Sequence, residues 1–225
     1  AMIVDSTALP EQAVRDILAS AFQSAGQRCT ALRILYVQED TAERVVEMLL
    51  GAMDELQLGD PETLATDIGP VIDARAKAKI DAHIGDFASR GDLLKQLPVP
   101  AGGTFVGPAV LTVNGIADIR EEIFGPVLHV ATFRAGEIDQ VIAAINASGY
   151  GLTFGLHTRI DARVEQVSSR VKAGNIYVNR NQIGAVVGSQ PFGGEGLSGT
   201  GPKAGGPHYL PRFSRPLGDV SPSAA

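Results

Sequence analysis

Three stretches of this sequence hold side chains whose type and spacing can do chemistry. The first is Ser24-Ala25-Gly26-Gln27-Arg28-Cys29-Thr30, which carries the only cysteine among 225 residues. A thiolate is the reactive form of that side chain, and Arg28 or nearby amide dipoles would favour it. The bland alternative is a small apolar filler, because free cysteines are among the most buried residue types. The second stretch is Glu121-Glu122-Ile123-Phe124-Gly125-Pro126, where adjacent carboxylates read by default as a solvated pair. The third is the glycine-rich run that includes Gly184-Ala185 and Pro191-Phe192-Gly193-Gly194. Its glycines exclude a packed helix or a central strand, and a long structureless stretch in a compact domain is often a functional loop. His83, His129, His157 and His208 show no metal-ligand spacing, so no metal is expected. His83 reads as a boundary residue beside a helical apolar stripe.

These residues need elements to hold them. Val14, Ile17, Leu18, Ala21 and Phe22 recur at helical spacing, with Pro10 suited to the first turn. Ile34 to Val37 is a short apolar run, the mark of a buried strand. Cys29 therefore sits in a tight helix-to-strand connection opened by Gly26. A second helix runs through Val45, Val46, Leu49, Met53 and Leu56. A third is capped by Asp73, with Ala76, Ile80, Ile84 and Phe87 on its apolar face. Residues 92–113 predict short strands and turns, and residues 127–133 an alternating strand. Ile138, Val141, Ile142 and Ile145 give another helix, 152–158 a strand, Val164, Val167 and Val171 a helix, and 175–179 a strand. Alternating strands and helices predict a layered α/β domain with a largely parallel sheet over residues 1–179. Residues 180–216 read as a glycine-rich loop region with one late strand at 209–213, docking on another part of the protein or a partner subunit. Residues 217–225 read as tail.

Composition narrows the class. Hydrophobic residues make up 44% and charged residues 20%, enough for a sizeable globular core. The net charge of −6 argues against nucleic-acid contact and against a basic membrane patch. A single cysteine rules out an intrachain disulfide and fits a reducing, cytoplasmic setting. No apolar run approaches the ~20 residues of a membrane span. Ala1-Met2-Ile3-Val4 already reads as a strand, as in a domain excised from a longer chain.

Gly26-Gln27-Arg28-Cys29, Glu122-Ile123-Phe124-Gly125-Pro126, Asn146 with Tyr150-Gly151-Leu152, and Pro191-Phe192-Gly193-Gly194 with Ser198-Gly199 follow one another in an order that resembles the aldehyde dehydrogenase superfamily. Gln27-Arg28-Cys29-Thr30, residues 188–194 and residues 198–209 narrow the resemblance to the L-glutamate-γ-semialdehyde (Δ1-pyrroline-5-carboxylate) dehydrogenases. Within these they look closest to the dehydrogenase module of the bacterial bifunctional proline utilisation A family. The resemblance covers nearly the whole chain. It implies a three-layer αβα catalytic domain, Cys29 as nucleophile, and NAD as cofactor, with Glu122 on the nicotinamide ribose and Phe124 beside the nicotinamide. For a substrate carrying its own carboxylate it implies backbone anchoring at Gly184 and Ala185, a hydroxyl contact from Thr30, and Phe192 against the aliphatic part. The family often has serine where Thr30 stands. Arg28 is a further candidate for attracting the anion.

The same resemblance places the general-base glutamate and the dinucleotide-binding domain before Ala1, so this chain by itself is expected to lack activity. The expected partners are the cofactor-binding part of the same parent chain and further copies in a homo-oligomer, with FAD only where a proline dehydrogenase domain is attached. The expected function is NAD-dependent oxidation of L-glutamate γ-semialdehyde to L-glutamate. The alternatives are a dehydrogenase-like domain with a structural role, or a dehydrogenase for a different aldehyde.

Overall fold

The computed structural model describes residues 1–184 and 188–214. Strand β1 (Met2–Val4) leads through α1 (Pro10–Phe22) to β2 (Ile34–Gln38), followed by α2 (Glu39–Met53), α3 (Ala74–Ser89), β3 (Leu93–Gln96), β4 (Ala109–Thr112) and β5 (Val127–Phe133). Then come α4 (Ile138–Ala147), β6 (Tyr150–Gly151), β7 (Thr153–His157), α5 (Asp161–Ser168), β8 (Asn175–Val178) and the short β9 (Glu195–Gly196). Seven strands form one sheet in the order β3-β4-β5-β2-β1-β7-β8. Every neighbouring pair is parallel except β3 with β4. The crossover from β1 to β2 and that from β5 to β7 run in opposite directions along the sheet. Right-handed connections therefore put α1 and α4 on opposite faces, which makes three layers.

Local chemistry accounts for the elements. Pro10 opens α1, where an N–H would have no partner. Asp73 caps α3 by accepting from the Ala76 N–H at 2.7 Å, worth about 1 kcal/mol. Strand β1 lies between β2 and β7, and Met2, Ile3 and Val4 are fully buried. The expected alternation in β5 is absent: all its residues except Thr132 are buried. It pairs with β2 and β4, and a parallel strand covered on both faces has no solvent side to alternate toward. Leu56 and Val171 lie beyond the helices expected to include them. The strand expected at 209–213 is instead a 3-10 turn, Leu210–Phe213. Pro211 stands in its middle and has no N–H to give a sheet ladder. The tail, 217–225, lies outside the described residues.

The late glycine run is laid against the start of β8. Gly193 approaches Gly174 so closely that a Cβ on Gly174 would collide with its carbonyl. Asn175 fastens the approach, its Nδ2 donating to the Pro191 carbonyl at 3.0 Å and its Oδ1 accepting from the Gly193 N–H at 3.3 Å. Strand β9 pairs antiparallel with β6, and Ser198 Oγ accepts from the Gly151 N–H at 3.0 Å. The run thus borders the amino-terminal ends of β7 and β8, beside the loop that enters β2.

Candidate active site

The Cys29 loop is folded by its backbone. Ser24 and Ala25 adopt left-handed conformations (φ 57° and 53°), followed by Gly26 at φ 64°. Three turning residues in succession stop α1 and throw the chain outward, leaving Cys29 exposed. Alternate carbonyls of the loop are then gripped from beneath. Arg33 donates to Gly26 O at 2.7 Å and to Arg28 O at 3.1 Å. Gln182, itself 1% exposed, donates from Nε2 to Thr30 O at 3.2 Å. Among the described residues no acceptor is bonded to the Cys29 N–H, which leaves it available to an oxyanion forming beside the sulfur.

Two clefts meet at Cys29. One, of about 670 Å³, is lined by Arg33, Glu122, Phe124, Tyr150, Thr153 and Leu197 among others, and also by Cys29. The second, of about 600 Å³, is lined by Arg28, Cys29, Thr30, Gly184, Gln190 and Phe192 among others. Thr30 is buried, and its Oγ1 accepts from the Gly184 N–H at 3.4 Å, a long bond that sets the glycine loop against the residue after the thiol. Arg28 turns back, its Nε donating to Ser24 Oγ at 2.9 Å. The candidates therefore separate into two groups on either side of the sulfur: Glu122 and Phe124 in one cleft, Arg28, Thr30, Gly184 and Phe192 in the other. Ala185 lies outside the described residues.

In the first cleft Glu122 accepts from Arg33 Nε at 3.0 Å, and its side chain remains 41% exposed. Phe124 is half exposed, with the Arg33 guanidinium 4.8 Å from its ring centroid. Burial pulls the Arg33 pKa below its usual value, and the charges of Glu122 and Cys29 oppose that shift. Glu121 points elsewhere, to Lys79 Nζ at 2.8 Å.

The sequence model of the aldehyde dehydrogenase family matches residues 1–216. The chain belongs to the aldehyde dehydrogenase family. It is 55% identical to the bifunctional protein PutA of Klebsiella aerogenes over 226 residues, covering 96% of this chain and 17% of that protein. It is 40% identical to the 1-pyrroline-5-carboxylate dehydrogenase of Geobacillus kaustophilus, covering 93% of this chain and 41% of that one. Among solved structures, a bifunctional proline utilization A superimposes with a TM-score of 0.91 at 56% identity, over 94% of this chain and 22% of that one. A 1-pyrroline-5-carboxylate dehydrogenase from Thermus with bound NAD superimposes with a TM-score of 0.86 at 34% identity, over 94% and 41%.

In this aldehyde dehydrogenase domain several residues that sequence reasoning passed over hold the site together. Arg33 and Gln182 support the nucleophile loop, as described above. His83, expected as a boundary residue beside the apolar stripe of its helix, places Nε2 2.9 Å from Nε2 of buried His129. His129 in turn holds the Arg33 carbonyl through its backbone N–H at 3.0 Å and Nδ1 at 2.8 Å. A carbonyl oxygen only accepts, so Nδ1 carries the proton, and Nε2 accepts from His83. Desolvation lowers the His129 pKa to about 4, which keeps that ring neutral. The two histidines stand 46 positions apart, on a helix and a strand, and no local spacing announces the pair.

Proposed function

We propose that this chain is the nucleophile-bearing part of an NAD-dependent dehydrogenase that oxidises L-glutamate γ-semialdehyde to L-glutamate, a step of proline catabolism. The observation that carries the reading is Cys29 at the wall shared by two clefts, with Glu122 and Phe124 on one side and Arg28, Thr30, Gly184 and Phe192 on the other. The names of the relatives support the substrate. The chain spans only 17% and 41% of two of them, so the remainder of the activity is assigned to the rest of a parent polypeptide. Self-association belongs to that same larger assembly, and FAD enters only where a proline dehydrogenase domain is attached to it.

The Cys29 sulfur attacks the aldehyde carbon; a C–S bond forms and the carbonyl π pair moves to oxygen, beside the Cys29 N–H. When the C=O bond re-forms, the C–H pair leaves as hydride and a thioester remains. A nicotinamide dinucleotide bound in the first cleft would supply the two-electron acceptor for that hydride. The residues present suit such a group: the exposed face of Phe124 matches a planar ring, and the half-exposed Glu122 carboxylate matches sugar hydroxyls. Water then adds to the thioester carbon, the C–S bond breaks, and the acid leaves. In the second cleft Arg28 offers a positive charge to the substrate's own carboxylate, Gly184 lines the wall beside Thr30, and Phe192 covers the aliphatic chain.

Cys29→Ala and Cys29→Ser in the intact parent enzyme test the reading. Both lower kcat with the semialdehyde at least ~1,000-fold, the scale of losing a nucleophile, without changing the unfolding midpoint. Turnover within tenfold of the unaltered enzyme overturns the assignment. With the unaltered enzyme, kcat/KM for the semialdehyde exceeds that for an uncharged aldehyde of equal length; equal values remove the carboxylate anchor.

A further inference from the structure

One side chain joins both halves of the site. Arg33 precedes β2, its side chain is 14% exposed, and its guanidinium spreads over four acceptors on two loops. From the Cys29 loop it takes Gly26 O at 2.7 Å and Arg28 O at 3.1 Å. From the other loop it takes Glu122 Oε1 at 3.0 Å and Gly125 O at 3.3 Å. The two loops touch backbone to backbone here, since a Cβ on Gly26 would run into the Gly125 carbonyl. Two carbonyl dipoles aimed at one point repel unless a cation sits between them, and one Arg33 nitrogen donates to both. The backbone of Arg33 is fixed in turn, its carbonyl held twice by His129, which His83 orients.

We infer that Arg33 is a positioning residue that holds the Cys29 loop and the Glu122–Phe124 loop in register, so that the thiol and the cofactor-side carboxylate keep a fixed relation. The inference rests on the reading proposed above, in which Cys29 attacks and Glu122 faces the cofactor. A planar five-donor fork is suited to this, whereas a lysine offers one point charge and cannot reach four acceptors on two sides. Loss of register of about 1 Å costs on the order of 100-fold in rate when the reacting groups are otherwise intact.

The test is a mutant cycle in the intact parent enzyme with Arg33→Met, Arg33→Lys, Glu122→Gln and the double variant Arg33→Met/Glu122→Gln. Steady-state kcat and KM for NAD are measured on each, with thermal unfolding as a check on folding. Arg33→Met lowers kcat roughly tenfold to 100-fold and raises KM for NAD roughly tenfold. Arg33→Lys keeps a charge beside Glu122 and so recovers most of the KM effect but little of kcat, a split that a merely structural residue would not give. The double variant raises KM for NAD no further than the worse single variant, because the two residues act as one unit. Folded Arg33→Lys and Arg33→Met proteins with both parameters within twofold of the unaltered enzyme overturn the inference, and so does full additivity in the double variant. If Glu122→Gln alone leaves KM unchanged, the cofactor role of Glu122 fails separately. The inference then survives only on a kcat loss in Arg33→Lys, and an unchanged kcat overturns it.

Discussion

At the scale of single residues, the tightest constraint is Gly26. Its φ of 64° costs a residue with a Cβ roughly 1–2 kcal/mol, and the Cβ would also meet the Gly125 carbonyl. The Gly26→Ala variant is therefore expected to lose at least about 2 kcal/mol, equivalent to a fall in Tm of about 4 °C or more for a domain of this size. It should lose activity beyond what stability explains, because relieving the collision moves the loop that bears Cys29. Calorimetry on the intact enzyme checks this, and an unchanged Tm would mean that the two loops do not touch as described. Gly26 and Cys29 were both legible in the sequence, since a glycine before a lone cysteine at a helix-to-strand junction is a local pattern. Arg33 and Gln182 were not legible. Their partners Glu122 and Thr30 stand 89 and 152 positions away, and nothing in the spacing of an arginine or a glutamine announces which carbonyl it will meet.

At the scale of elements, helices and strands followed from local periodicity, but the edge of the sheet that carries the site did not. In an open parallel sheet the crevice outside the carboxyl ends of strands, where connections diverge, is the usual ligand site. Here β1 connects toward β2 and β7 toward β8, so the divergence lies between β1 and β7, and that crevice is filled. Buried Asp5 accepts there from Thr7 N at 2.8 Å, Thr7 Oγ1 at 2.7 Å and Thr158 Oγ1 at 2.5 Å. Asn179 bonds both the N–H and the carbonyl of Thr158. The clefts open instead at the amino ends, among Ala1, Ile34, Phe124, Thr153 and Ala173. The loop entering β2 and the loop entering β5 meet there, joined by Arg33, whose carbonyl is held by His129 of the His83–His129 pair between α3 and β5. That pair makes stability depend on pH. His129 stays neutral in the folded protein down to about pH 4, while the unfolded chain takes up a proton near pH 6.5. Between these values the unfolded state binds more protons, so stability falls as pH drops. The loss from His129 is about 2 kcal/mol between pH 7 and pH 5. Desolvation lowers His83 and His157 as well, so they act in the same direction. Urea titrations at the two pH values should show the loss, and His129→Gln, whose amide still donates to a carbonyl, should reduce it by about that amount. An equal loss in both proteins would place the pH dependence elsewhere.

At the scale of the molecule, the described residues set Cys29, the proposed nucleophile, between two clefts, and no carboxylate that lines the larger of the two is free of a cation. Of the carboxylates that line the larger cleft, Glu122 is tied to Arg33 and Glu121 to Lys79. The ring of Phe124 and the side chains of Tyr150 and Leu197 face that cleft while largely exposed, and no helix of the described chain is long and apolar enough to cross a membrane. Such a surface fits burial against the remainder of a dehydrogenase of which this chain spans 41% in one relative. The separation of duties gives a direct expectation for the 225-residue chain by itself. Its Cys29 is exposed, so iodoacetamide should label one thiol per chain under native conditions. Given NAD and the semialdehyde, the same preparation should form NADH at less than ~0.1% of the intact enzyme's rate, because thioester hydrolysis needs a base to activate water. Labelling with turnover near that of the intact enzyme would mean that Glu122 or Glu121 leaves its cation partner to serve as that base, and Glu122→Gln and Glu121→Gln in the short chain would then identify which.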